Sequence, residues 1–198
     1  MPRHVYFLVP PHIDVLPCED AYAQERSLLG EVLQRITPRD AVVADRNFCT
    51  TGFLFGLHRR RAFFVIRQHK STLTWEPTGR RRRAGTDEQG RAIYEQAVRL
   101  TDPKTGETLT ARRITIQLDA PTRSGDMEIH ILTNLPAKAA SAVKIAGVYG
   151  KRWTIETCLG HLAQALNAEI NTLCYPPAAA VCFCLALTLY NLLTTIKS

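Results

Sequence analysis

The chain has six cysteines, Cys18, Cys49, Cys158, Cys174, Cys182 and Cys184, and no CxxC spacing among them. They read as reduced thiols, which excludes a disulfide framework and a zinc ribbon. Six histidines, His4, His12, His58, His69, His130 and His161, are scattered without paired ligand spacing, so a zinc centre is not expected. No charged-then-apolar leader stands at Met1, and a cytosolic location is the expectation. No Gly-rich loop follows a strand as a phosphate cradle requires, which removes a nucleotide-hydrolysing reading. No internal repeat is visible. One nearly uncharged run, residues 178–196, approaches the length of a bilayer span. It contains Thr188, Asn191, Thr194 and Thr195 and follows Pro176 and Pro177, so it reads as a buried C-terminal helix and no membrane is expected as a partner.

What is present is a globular composition with an excess of cations. The 198 residues, 45% hydrophobic, suffice for one substantial core with a smaller appended module. Much of the +7 formal charge lies in three clusters: Arg59 to Arg61, Arg80 to Arg83, and Arg112 with Arg113. Local clusters on a mixed background point to an anionic partner, with nucleic acid favoured over a merely solvated surface.

Along the chain, residues 5–9 and 13–16 are short apolar runs split by Pro10 and Pro11 and predict strands. Asp20 offers an N-cap to a helix over residues 21–36, which Pro38 to Asp40 ends. Residues 41–44 predict a strand covered on both faces, delivering Asp45 at its carboxyl end. Open α/β sheets place ligands at such ends, although a cap or turn role for Asp45 explains it equally. Thr50 or Thr51 caps a helix through Leu57, and residues 62–66 form the next buried strand. From about Gln68 the character changes. Residues 71–90, with GRRRRAG at their centre, read as an exposed loop or module tip. Residues 91–100, 109–118 and 127–132 alternate like strands and predict a β-rich insertion returning to the main sheet. Its arginines are expected to contact phosphate. Pro136 opens a short helix over residues 137–146 that leads, past Gly147, into a longer one.

That longer helix, residues 148–167, reads VYGKRWTIETCLGHLAQALN. Tyr149, Arg152 and Glu156 fall within about 60° of one another on it. Val148, Ile155, Leu159, Leu162 and Leu166 form a core-facing stripe beside them. An intrahelical ion pair accounts for Arg152 and Glu156 on helix spacing alone. Asp45 changes the weighting, because carboxylates from different elements are a start on a two-metal phosphodiester centre, for which a third is expected.

Here the sequence resembles the DDE transposases of bacterial insertion sequences, in the insertion sequence 4 branch. The resemblance rests on ADRNF at residues 44–48, YGKRWTIE at residues 149–156 and the β-rich segment between them, and it covers nearly the whole chain. It implies an α/β fold, a ribonuclease H-like core with a β-rich insertion between the second acid and the glutamate helix. The corresponding division is residues 1–68 as the first part of the core, 69–126 as the basic insertion, and 127–198 as the last strand and closing helices. It implies that Asp45 and Glu156 are catalytic metal ligands for Mg²⁺, with Mn²⁺ as a substitute, and that Tyr149 and Arg152 lie beside the scissile phosphate. Lys151, Arg46, Arg80, Arg81, Arg82 and Arg83 are the further DNA-binding candidates, with Trp153 and Trp75 behind them. The implied partner is double-stranded DNA at transposon ends, bound by a homodimer in the bacterial nucleoid.

Two positions depart from the family's pattern. A lysine seven residues after the glutamate is replaced by Ala163, and the first acid is expected on a strand well before DRNF, where Asp14 and Asp20 are the aspartates present and read instead as a strand-to-helix junction. The expectation is therefore a truncated domain with an incomplete core, binding DNA and cleaving it weakly or not at all. The alternative is a non-catalytic DNA-binding or regulatory remnant that uses the arginines alone.

Overall fold

The computed structural model describes residues 28–122 and 124–152, the backbone of residues 5–6, and positions 178, 181, 182, 184, 185 and 188. The chain divides into two compact units: residues 1–7 with 24–152, and residues 8–23 with 153–198. In the second unit the described positions are helical. Val181 and Leu185 are exposed, which corrects the expectation of a buried C-terminal helix at these two side chains. Among the described residues no helix is long and apolar enough to cross a membrane.

The first unit is built on an eight-stranded mixed sheet. Its strands are β1 (Val5–Tyr6), β2 (Ala41–Ala44), β3 (Phe63–Arg67), β4 (Thr74–Pro77), β5 (Arg82–Thr86), β6 (Ala92–Thr101), β7 (Thr108–Gln117) and β8 (Glu128–Thr133). The order is β1-β2-β3-β8-β7-β6-β4, with β5 also pairing β6. β1, β2 and β3 run parallel, and every pairing from β3 onward is antiparallel. The insertion strands thus extend the core sheet through β8. All four residues of β2 are buried, as expected of a strand covered on both faces.

Alternation along the strands splits the apolar residues between two cores. On one face Val42, Phe64, Ile66, Leu132, Val98 and Leu109 pack beneath α1 (Leu29–Arg35) and α2 (Thr51–Arg59). On the other, Val43, Val65, Ile114, Ile116, Ile129 and Ile131 pack beneath α3 (Ala142–Gly150). The Thr50 hydroxyl caps α2 by accepting from Phe53 N at 3.3 Å, as the sequence predicts. α1 is shorter than the predicted helix over its described part; residues 21–27 lie outside the described residues.

Two expectations are corrected. The segment 71–90 is not a loop throughout, because β4 and β5 form in it along the outer edge of β6. The helix expected from Ala137 starts at Ala142, after a turn at residues 136–140, and the Ser141 hydroxyl caps it by accepting from Lys144 N at 3.2 Å. It continues through Gly147 to Gly150, so Val148 and Tyr149 belong to α3.

Candidate metal and DNA site

Parallel pairing places Ala44 beside Ile66, so β2 and β3 end together and Asp45 and Arg67 emerge at neighbouring positions. Asp45 is half-buried, in extended backbone, and caps the 3-10 turn Arg46–Phe48. Its Oδ1 accepts from Asn47 N at 2.7 Å. Oδ2 has no hydrogen bond among the described residues. Both roles weighed for Asp45 are therefore compatible: one oxygen holds the turn and the other remains for a ligand. Arg46 is exposed beside it.

α3 brings Tyr149 to the same end of the sheet. The ring is 2% exposed and packs in the cluster that includes Val43 and Val65, the neighbours of Ala44 and Ile66. The Arg152 guanidinium lies over it, 5.7 Å from the centroid, so the predicted shared stripe is realised as a cation–π contact. Burial pushes the phenol up; Arg152 and Arg67 oppose that, and Asp45 adds to it. The Tyr149 phenol thus feels all three of these charges. The Tyr149 hydroxyl is buried, and the Arg152 side chain is the polar group acting on it from nearest by. Lys151 is exposed at the end of α3.

Glu156, Trp153, Ala163, Asp14 and Asp20 lie outside the described residues. Among those described, no group of three or more His, Cys, Asp or Glu could hold a metal. Asp45 itself fits a hard divalent cation, since it offers a carboxylate oxygen at a solvent-accessible strand end.

The arginine clusters divide by what they touch. Arg80, Arg82 and Arg83 are exposed around a cleft of about 500 Å³ that Glu95 and Ala97 floor. Arg81 turns away to Glu128 at 2.7 Å and stacks on Tyr94 at 4.2 Å. Arg59 pairs with Glu107. Arg112 and Arg113, consecutive on β7, point to opposite faces. The expectation of phosphate contact does not hold for Arg112: it pairs with Glu95 and donates from Nη1 to Leu135 O and Ala140 O, both at 2.9 Å, which secures the turn before α3. Arg113 stacks on Trp75 and faces a second cleft with Arg67, Lys70 and His130. Arg67, Lys70 and His130 were not singled out by sequence reasoning, because a dispersed cation carries no local signal.

Residues 13–192 match the family model of the transposase DDE domain, which is well over half of the chain. The chain belongs to the DDE transposase family. No curated protein matches it. A DDE transposase domain is a ribonuclease H-like α/β domain that works in DNA transposition with DNA as its partner, and the family uses divalent metal ions. The mixed sheet with its three helices accords with that fold.

Proposed function

We propose that this DDE domain is of the insertion sequence 4 type and acts in Mg²⁺-dependent cleavage and strand transfer of double-stranded DNA at transposon ends, with Asp45 and Glu156 as the metal-holding carboxylates. What supports this is the convergence of Asp45, Arg67 and the Tyr149–Arg152 pair where β2 and β3 end. Asp45 and Glu156 would hold the divalent ions, Mg²⁺ or Mn²⁺, whose chemistry when bound would be activation of the attacking oxygen and stabilisation of the leaving one.

The chain's own groups position the DNA. Arg152 presents a planar fork matched to phosphate oxygens, and the buried Tyr149 ring fixes the face on which it rests. Arg46 and Lys151, both exposed, neutralise adjacent phosphates. Arg80, Arg82 and Arg83 extend the basic track along β5, and Arg81, paired with Glu128, stands at its edge as a further contact. Paired transposon ends call for a dimer, and a cytosolic, nucleoid-associated location goes with this partner.

Asp45 and Glu156 are two carboxylates where a two-metal centre calls for a third, and Ala163 replaces a lysine of the family pattern. On this reading the chain binds end DNA and nicks it weakly or not at all. The assay is purified protein with transposon-end duplex in Mg²⁺, read by gel shift and by strand nicking. The duplex is expected to shift, and any residual nicking to vanish in Asp45→Asn and Glu156→Gln. Nicking that persists in both variants would refute the site; vigorous nicking that both abolish would refute the weak activity alone.

A further inference from the structure

A second cleft, of about 210 Å³, lies where β3 ends beside β7 and β8. Its centre is Arg113. The guanidinium is half-buried, stacks on the half-buried Trp75 ring at 4.9 Å, and donates from Nε to Gln68 Oε1 at 2.7 Å. Nη1 and Nη2 make no hydrogen bond among the described residues. Gln68 is neutral, so it orients Arg113 without cancelling its charge.

The other charges of the cleft are already matched. Asp126 is held by Lys70 at 2.5 Å and by Arg67 at 3.4 Å, and Glu128 by Arg81 at 2.7 Å. The His130 imidazole is pushed down to about 4 by burial and then by Arg113, so it is neutral at physiological pH. Arg113 is thus the cation of the cleft with no carboxylate bonded to it among the described residues; Glu128, bound to Arg81, acts on it only through space. Desolvation pulls it below the usual guanidinium range, which is the cost that an incoming anion would offset.

Size decides what kind of anion. Pockets that enclose a whole small ligand run from about 300 Å³ upward. This cleft is smaller, which suits one group of a longer molecule passing over it. The surface it opens on is the polar half of the α1/α2-side sheet face, where register aligns Gln96 with Arg113, Tyr94 with Thr115, and Thr115 with His130. A polymer can lie along those rungs.

We propose that this cleft is a phosphodiester subsite, in which Nη1 and Nη2 of Arg113, backed by Trp75 and aimed by Gln68, hold one backbone phosphate of a DNA strand. The subsite rests on the reading of the chain as a DNA-handling domain; it borders the Asp45 site through Arg67, which lines the cleft, and does not include Asp45, Tyr149 or Arg152.

The test measures affinity of the full chain for a short duplex oligonucleotide against salt, with inorganic phosphate as the competing probe. Arg113→Gln is expected to weaken binding about tenfold at low salt and to lower the salt slope by about one. Gln68→Glu, which sets a carboxylate against the guanidinium, is expected to do the same while keeping Arg113's packing on Trp75. Arg59→Gln, an equal loss of charge elsewhere, leaves the slope unchanged. Wild-type affinity and slope in Gln68→Glu, or an equal loss in Arg59→Gln, would overturn the subsite. Inorganic phosphate displacing the duplex at equimolar concentration would show a free-anion site instead and also overturn it. All arms run in EDTA. An Arg113-dependent slope there sustains the subsite even if cleavage fails, and normal cleavage with an Arg113-independent slope removes the subsite alone.

Discussion

His130 shows how one side chain's surroundings become measurable. Its Nδ1 lies 3.1 Å from the Thr115 hydroxyl and its Nε2 3.5 Å from Glu128; burial, then Arg113 and Arg81, hold the ring neutral to about pH 4 against the opposing pull of Glu128 and, after it, Asp126. The unfolded chain takes up that proton near pH 6.5, so between 6.5 and 4 it binds more protons than the fold does. The stability from the neutral ring is complete above 6.5 and is lost as pH falls toward 4, at no more than about 1.4 kcal/mol per pH unit. Urea unfolding at pH 7 and pH 5 reads this out: the wild type should lose about 1–2 kcal/mol more than His130→Gln. Equal losses would mean that the imidazole titrates as in water. At this scale the sequence exposed Asp45 and the Tyr149–Arg152 spacing, because both are local patterns. It did not expose the Gln68–Arg113 bond, whose partners are 45 residues apart in the chain.

At the scale of elements, α3 matters most because it carries Tyr149 to the site, and its start is set by two devices. The Ser141 hydroxyl caps the first turn, and Arg112 ties down the Leu135 and Ala140 carbonyls just before it. Ser141→Ala should cost about 1 kcal/mol by urea unfolding, whereas Ser141→Asp should be near neutral. A loss below about 0.3 kcal/mol in Ser141→Ala would show that packing alone fixes the helix start. Pro136 suggested a start at Ala137; the cap and the Arg112 anchors set it at Ala142. β5 was hidden for a different reason. GRRRRAG has the composition of a turn, yet Arg82 and Arg83 pair with Glu95 and Tyr94 along an edge of β6 that neighbours alone make available. Gly85 then permits the bulge: its φ of 145° suits glycine, and a Cβ there would meet Val143 Cγ2 at 2.9 Å. The Thr50 cap and the buried β2 were legible because each is set by a few consecutive residues.

Across the first unit, the parallel core and the long antiparallel strands share one sheet, joined where β3 pairs β8. Apolar runs predicted β2 and β3 and alternation predicted β6, β7 and β8; which neighbour each would take was fixed by long-range pairing that no local window contains. That continuity brings an exposed arginine edge, the Arg113 cleft and the Asp45 strand end onto one framework. If Asp45 holds a metal ion that DNA also contacts, rather than serving only as a turn cap, then Mg²⁺ and DNA binding are linked through its carboxylate. The direct measurement is affinity for transposon-end duplex with and without Mg²⁺, at matched ionic strength, for the wild type and Asp45→Asn. Mg²⁺ should tighten binding by the wild type, and Asp45→Asn should lose that increment while keeping the Mg²⁺-free affinity. An identical Mg²⁺ response in the two proteins, or none in the wild type, would contradict it and leave Asp45 as a cap on the Arg46–Phe48 turn.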